Sequence, residues 1–165
     1  MTYLRATLIL LTVVISGCGF HLRGAGEHND GNSVLGGKTV YLNSSSRSEL
    51  DRLVKLELIA AGAVLTSTPN AEIGLTLGAE EFMQRNLSLN ARARAAEVEL
   101  VLSTNFSIQR PSHDLIEDHA IVNRQMFNDP RNILGKTEEI RLFRKEMRRE
   151  IAAQITRRLI YTLSN

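Results

Sequence analysis

The sequence predicts an α+β domain in which two helices pack on one face of a mostly antiparallel sheet of about four strands. Three observations lead to this prediction. A β-branched run precedes a segment with helical spacing, long central segments alternate between apolar and polar residues, and the end of the chain repeats apolar residues every three or four positions. Because strands have a period of two and helices a period of 3.6, the predicted element order is strand, helix, strands, helix.

The first predicted unit is a strand followed by a helix. Residues 38–42 are rich in β-branched and aromatic side chains, lie between glycines and a polar stretch, and fit a strand. Ser46 and Glu49 then have the spacing of a capping box, in which each side chain satisfies a free amide of the first helical turn. We therefore predict a helix over 47–61 that Gly62 ends in a left-handed conformation.

The centre of the chain carries the alternating pattern. After a short apolar strand at 63–66, apolar residues recur at every second position over 73–77, and Leu87 and Leu89 continue the pattern beyond a polar middle. The alternation returns over 98–108. These segments are predicted to be the two arms of a long antiparallel hairpin.

A second hairpin is predicted directly after the first. Residues 111–114 (Pro-Ser-His-Asp) have the chemistry of a turn, and residues 115–127 are compatible with a strand. Residues 128–130 (Asn-Asp-Pro) then stop it, since proline cannot donate to a strand ladder.

The C-terminal segment is predicted to be a long amphipathic helix. Its apolar stripe comprises Ile140, Phe143, Met147, Ile151, Ile155, Leu159 and Leu163. Its other face carries Arg141, Arg144, Lys145, Arg148, Arg149, Arg157 and Arg158. A basic face suits a membrane surface, but we favour an ordinary solvated face, with Glu146 and Glu150 as partners of the arginines.

The N-terminus has the pattern of an export signal. A start containing Arg5 is followed by an apolar run of about ten residues, shorter than the roughly 20 that a permanent membrane helix needs. Small residues then lead into Cys18, which resembles the lipobox of bacterial lipoproteins. That resemblance implies removal of residues 1–17 and acylation of Cys18. Multiple acyl chains hold a protein on a membrane.

Composition predicts a single globular body behind this anchor. Hydrophobic residues make up 43% and charged residues 23%, which does not fit a disordered chain. Glycines and polar residues at 18–37 predict a lipidated linker, and 38–165 a single domain. The net charge of +2 argues against a nucleic-acid binder. With one cysteine, no disulfide forms within the chain.

The sequence contains no recognisable catalytic or metal-binding motif. The histidines are His21, His28, His113 and His119, and they lack the helical spacing of a zinc hydrolase. The chain has neither a nucleophile elbow nor a phosphate loop, and its acidic pairs are explained by solvated positions. We therefore predict a protein that is not an enzyme, with no metal and no cofactor except covalent lipid on Cys18.

Two short segments carry a resemblance to a known family. Residues 18–24, Cys-Gly-Phe-His-Leu-Arg-Gly, are similar to the mature N-terminus of the LptE family, the lipopolysaccharide-assembly lipoproteins of the Gram-negative outer membrane. Residues 126–130, Met-Phe-Asn-Asp-Pro, followed by an amphipathic helix, are also similar. Element order and length agree with the family along essentially the whole chain.

The resemblance implies a role in lipopolysaccharide delivery. Family members plug the lumen of the LptD β-barrel, help the barrel to assemble and contact lipopolysaccharide. Basic residues at the central hairpin tip and after the Asp-Pro turn are associated with that contact, which implies Arg92, Arg94, Arg131 and Lys136 here. Gly19, and not an aspartate, follows the cysteine. In lipoproteins this implies export onward to the periplasmic side of the outer membrane.

Two other classes of function remain open at this point. A pilot or accessory lipoprotein for another envelope barrel or transporter would share the anchor, linker and small α+β body, although the start of the mature chain favours the LptE family. A lipoprotein hydrolase would need a nucleophile, a metal cluster or a carboxylate pair that the sequence does not single out. For the basic residues, ordinary loop solubility is the alternative to lipid contact.

Overall fold

The computed structural model describes residues 35–44, 47–89, 95–127 and 133–164. In chain order, the elements are β1 (Thr39–Ser44), α1 (Glu49–Ala60), β2 (Val64–Thr66), β3 (Ile73–Leu77), β4 (Glu81–Leu89), β5 (Ala95–Gln109), β6 (Ile116–Phe127) and α2 (Ile133–Ser164). The α+β class and the element order are confirmed.

The start of α1 differs from the prediction by two residues. Ser48, not Ser46, is the N-cap: its hydroxyl accepts the N–H of Asp51 at 3.2 Å, and the Asp51 carboxylate accepts the N–H of Ser48 at 3.0 Å. Glu49 is therefore the first helical residue and not the capping-box partner. The same chemistry fits both positions, because Ser46 and Ser48 are each followed three residues later by an acid. Gly62 ends the helix with φ +89°, as predicted.

The sheet has more strands than predicted and is mixed. Within the described residues it contains six strands instead of about four, with β1 between β2 and β3 and parallel to both. The remaining pairs, β3–β5, β4–β5 and β5–β6, are antiparallel. The β1–β2 pair is parallel because α1 carries the chain back across the sheet between these two strands, a connection that a tight turn cannot make.

The first arm of the long hairpin is interrupted between β3 and β4. The interruption adds a strand and reverses which residues of the arm, odd-numbered or even-numbered, face the helices. β3 and β4 pair with successive parts of the same edge of β5, and the register shifts by one residue at 78–80. Leu75 and Leu77 in β3 therefore share a face with Phe82 in β4, although one pair is odd-numbered and the other residue even-numbered. The predicted continuation of the odd pattern to Leu87 is wrong, since a bulge reverses alternation. Leu87 is exposed.

The second hairpin is confirmed. β6 pairs with β5 in a continuous antiparallel register, from Glu97 opposite Phe127 to Ile108 opposite Ile116. The even-numbered residues of β5 from Val98 to Ile108 are buried against the helices, as the alternation predicts. This face of the sheet, which contains Leu100 and Leu102, is called the closed face below.

Both helices contribute to one hydrophobic core on the closed face. α2 buries Met147, Ile151, Ile155 and Leu159 completely, which confirms the centre of its predicted apolar stripe. α1 contributes Leu50, Val54 and Leu58. Leu35, within the predicted linker, also packs into this core and is fully buried.

Candidate functional site

The predicted site residues fall largely outside the described part of the chain. Cys18, Arg92, Arg94 and Arg131 lie in segments that the structure does not describe, as do residues 1–17. Lys136 lies in the first turn of α2 and is half-buried. The lipidation site and the proposed lipopolysaccharide contacts therefore remain predictions.

The described residues nearest those segments lie at one end of the sheet. Leu89 at the end of β4 pairs with Ala95 at the start of β5, and these two residues flank the hairpin tip. Phe127, the last residue of β6, pairs with Glu97, only two positions along β5 from Ala95. The chain therefore leaves β4 and β6 at the same end of the sheet, and α2 begins after the second of these exits.

The face of the sheet opposite the helices carries exposed apolar side chains. Met83 is 61% exposed, Ile121 48% and Phe127 79%. They share this face because they stand opposite odd-numbered residues of β5, whose even-numbered residues point to the core. Among the described residues, neither helix packs on this surface. We call it the open face.

The open face also holds one ion pair next to its apolar residues. Arg85 of β4 stands directly opposite Glu99 of β5, and its guanidinium binds the Glu99 carboxylate. Glu99 is only 6% exposed, and its carboxylate is in contact with the Arg85 side chain. Met83 pairs directly with Val101 on this face, and a contiguous exposed apolar patch marks a surface that meets a protein or a membrane.

A second charged cluster joins the two helices to the interruption between β3 and β4. The Glu80 carboxylate accepts hydrogen bonds from Arg148 and Arg144, each at 2.6 Å, and Arg148 also donates to Glu49 at 2.8 Å. Arg144 lies 4.7 Å from the centroid of the Phe82 ring. The prediction that Glu146 and Glu150 are the partners of these arginines is therefore wrong.

Long-range contact decides these pairs. Glu150 instead binds Arg124 of β6. The arginines on the same turns of α2 face the sheet and α1, so sequence neighbours do not identify their partners.

The surroundings of Glu80 favour its charged form. Desolvation of the carboxylate raises its pKa, but the hydrogen bonds and positive charges of Arg148 and Arg144 outweigh that effect, so the pKa of Glu80 is lowered. The hydrogen bond to Glu80 likewise raises the pKa of Arg148. The cluster thus connects α2 to α1 and to the segment between β3 and β4 through pairs of opposite charge.

Sequence reasoning missed both the open face and the Glu80 cluster. An apolar Val101 among the odd-numbered residues of β5, together with Ile121 and Phe127 in β6, was the available signal for a second apolar surface. Glu80 gave no signal, since its partners are 64 and 68 residues away.

Within residues 35–44, 47–89, 95–127 and 133–164, no three histidine, cysteine or acidic side chains are grouped as a metal site would require. Neither described helix has the length and apolar character that crossing a bilayer requires.

Comparisons with known proteins identify the family. The model of the LptE family, described as lipopolysaccharide-assembly, matches residues 37–159. The LPS-assembly lipoprotein LptE of Yersinia pestis (strain Pestoides F) is 29% identical over 163 residues, which cover 95% of this chain and 75% of that protein.

Solved structures of other lipoproteins share the fold of this chain. The rare lipoprotein B of Shewanella oneidensis superposes with a TM-score of 0.71 and 29% identity, over 75% of this chain and 95% of that one. Lipoprotein B of Nitrosomonas europaea shares the fold with a TM-score of 0.65 and 19% identity, over 84% and 93% of the two chains. The chain belongs to the LptE family of lipopolysaccharide-assembly lipoproteins.

Proposed function

We propose that this chain is an outer-membrane lipoprotein, anchored through lipid on Cys18, that fills the lumen of the LptD β-barrel, assists its assembly and contacts lipopolysaccharide on its way to the cell surface. Membership of the LptE family supports the general role. The observation that carries the barrel partnership is the open face, where apolar side chains stand uncovered on one side of the sheet.

The open face has the chemistry of a protein contact surface. Burial of Met83, Ile121 and Phe127 against a partner would remove apolar area from water, which stabilises association. A large barrel offers a concave inner wall, and barrels with many strands leave a lumen wide enough to need filling. The closed face is already occupied by the helices, so the open face is the side of the sheet available to such a wall.

The end of the sheet at the hairpin tip is the proposed contact for lipopolysaccharide. The flanking residues support this proposal. The end of β4 pairs with Ala95 and Phe127 at the end of β6 pairs with Glu97, so both strands end at the same end of the sheet. We propose that Arg92, Arg94, Arg131 and Lys136 act there on phosphate groups. Arginine binds phosphate through paired N–H donors and lysine as a point charge.

Co-purification with the barrel tests the partnership. The barrel is isolated from membranes of cells that produce the parent chain or a Met83→Glu, Ile121→Glu variant. We expect the variant to lose most of its association, because two charges would be buried against the wall. Leu56→Glu, on the exposed side of α1, is the matched control and should co-purify normally.

The outcome also separates the two lipoprotein functions. A parent chain that co-purifies with a different envelope barrel, and not with LptD, would establish the accessory-lipoprotein alternative. A double variant that still co-purifies with LptD as well as the parent would contradict the role of the open face while leaving the partnership intact.

Two further measurements test the anchor and the lipid contact. Mass analysis of the membrane-extracted chain should show acylated Cys18 at its N-terminus, and Cys18→Ala should abolish that species. Replacing Arg92, Arg94 and Lys136 by alanine should weaken lipopolysaccharide binding while co-purification with the barrel persists. Unchanged lipopolysaccharide binding would remove these residues from the proposal.

A further inference from the structure

The two long outer strands of the sheet, β4 and β6, differ in how their outer backbone edges are covered. On β6, the Gln154 side chain donates to the Ile121 carbonyl at 3.3 Å. The Asp118 carboxylate accepts the neighbouring His119 N–H at 2.7 Å. Along β4, no group of the described chain bonds to the backbone on the side away from β5. An uncovered edge of this kind is a template for a further strand.

The strand register shows which backbone groups lie on the outer edge of β4. The Gly78 N–H donates to the Asn105 carbonyl at 2.8 Å, so odd-numbered residues of β5 direct their backbone groups toward β3 and β4. Before the bulge, odd-numbered residues of β4 stand opposite odd-numbered residues of β5 and bond to them. The N–H and C=O groups that point outward are therefore those of Phe82, Gln84 and Asn86.

The open-face side chains along this edge have a charge pattern that is complementary to itself. Glu81, Met83 and Arg85 follow one another at every second position, as an acid, an apolar residue and a base. Two such edges can pair antiparallel about a two-fold axis at Met83. Each Glu81 then stands opposite the Arg85 of the other copy, and the two Met83 side chains meet. Opposite charges directly across an antiparallel pair stabilise it.

Both charged side chains are accessible to a second copy. The Arg85 Nε binds Glu99 of its own chain, which leaves the terminal N–H groups of the guanidinium for a second carboxylate. Glu81 is exposed and has no hydrogen-bond or ion-pair partner among the residues that the structure describes. Met83, between them, is also exposed.

Other two-fold registers match the side chains less well. An axis at Arg85 would place the two Arg85 side chains opposite each other, and an axis at Gln84 would place each Met83 opposite an arginine. On the closed face, α2 packs over β5 and β6, and Gln84 and Asn86 of β4 are exposed. The described helices therefore leave room for a second strand beside β4.

We propose that the chain, when it is not bound to the barrel, pairs with a second copy of itself through β4, antiparallel and with the two-fold axis at Met83. The outward backbone groups of Phe82 in one copy and Gln84 in the other exchange hydrogen bonds, and the two sheets become continuous. The open faces of the two copies then form one surface with Met83 at its centre. This pairing concerns the chain alone and does not rest on the barrel partnership.

Disulfide cross-linking of the purified lipidated chain in a neutral detergent tests the pairing. Met83→Cys places two thiols on the axis, where the Cα atoms of a non-hydrogen-bonded pair are roughly 4.5 Å apart, within the range of a disulfide. We expect a reducible covalent dimer on mild oxidation. The parent chain, whose only cysteine is Cys18, is the blank.

Leu87→Cys is the matched control for the position of the thiol. Leu87 is exposed on the same strand, but it lies four residues from the proposed axis in each copy. The two Leu87 positions would be roughly 26 Å apart at the rise of a strand, too far for a disulfide. This variant should therefore give little covalent dimer.

Two further comparisons test the register and the charges. A chain with both Glu81→Cys and Arg85→Cys should form covalent dimers, whereas either single cysteine should not, because position 81 faces position 85 of the other copy. In the Met83→Cys chain, Glu81→Lys should lower the dimer yield at least about fivefold, since like charges would stand opposite each other. Glu72→Lys, exposed before β3, makes the same change in net charge and should leave the yield within about twofold.

Three outcomes would overturn the proposal. Two are equal dimer yields from Met83→Cys and Leu87→Cys, and no dimer from either. The third is a Met83→Cys chain that cross-links in intact cells to a different protein while the purified sample gives no dimer, which would assign the edge to that protein. Absence of the dimer would leave co-purification of the parent chain with the barrel unaffected, so this failure differs from failure of the proposed function.

Discussion

The two faces of the same sheet differ in what covers them. On the closed face, Leu100 and Leu102 are fully buried under the helices. On the open face, Met83 and Phe127 are mostly exposed although they are as apolar as many core residues. Apolar character alone therefore does not define the core of this fold. The face that the helices cover is the one whose apolar side chains are buried within the chain.

This difference has a consequence for mutational effects. Substitutions on the closed face act on folding, because they create cavities or bury polar atoms. Substitutions on the open face act on the proposed partner contact and leave the isolated domain nearly unchanged. We therefore expect the largest changes in the free energy of unfolding for substitutions in the buried core of the closed face.

A charge in the middle of the closed face should have the largest effect. Ile151 is fully buried in α2, so Ile151→Asp places a carboxylate without a partner in the core. We expect a loss of about 4 kcal/mol in the free energy of unfolding, measured by urea denaturation. A melting temperature equal to that of the parent would show that α2 does not close this face.

Loss of the Glu80 carboxylate should have the next largest effect. Glu80→Gln leaves Arg148 and Arg144 without their shared partner, and we expect a loss of about 3 kcal/mol at neutral pH. Glu138→Gln, in an exposed pair, should change stability much less.

The Glu80 effect should depend on pH in a defined direction. The lowered pKa of Glu80 means that the folded chain binds fewer protons at this group than the unfolded chain. The stabilisation is therefore fully present above the ordinary glutamate pKa of roughly 4.3 and is lost as the pH falls through the folded-state pKa. Denaturation curves of parent and variant should converge on acidification. A constant difference down to low pH would contradict this assignment.

A side chain at the interruption between β3 and β4 should have an intermediate effect. A Cβ on Gly78 would lie 2.9 Å from the Asn105 carbonyl oxygen, while the Gly78 N–H donates to that oxygen at 2.8 Å. Gly78→Ala should therefore lower the free energy of unfolding by about 2 kcal/mol. Gly74→Ala, whose Cβ would meet only an ordinary contact at 3.6 Å, should change it by less than about 1 kcal/mol.

Neighbouring residues of β6 provide the most direct comparison of the two faces. Val122 is buried on the closed face and Ile121 is on the open face. Thermal denaturation should show a loss of about 1.5 kcal/mol for Val122→Thr, because a hydroxyl is buried, and less than about 0.5 kcal/mol for Ile121→Thr. Equal losses would show that the open face contributes to the stability of the isolated chain.

The interruption between β3 and β4 explains most of what the sequence pattern did not predict about which residues lie on each face of the sheet. Alternation over 73–77 correctly identified the buried side of β3. The same pattern extended to Leu87 failed, because one extra residue at 78–80 moves odd-numbered residues of β4 to the open face. A bulge depends on the register with β5, and a period count along one strand does not contain that register.

The sequence by itself determined the features that short segments specify. Helical spacing identified α2 and its buried stripe, Gly62 identified the end of α1, and alternation identified the two hairpins, because each depends on local backbone geometry. The tertiary structure alone decided the position of β1 between two parallel neighbours, the partners of Arg148 and the existence of an uncovered apolar face. These features depend on which distant segments meet, and the free energy of that choice comes from packing the whole core.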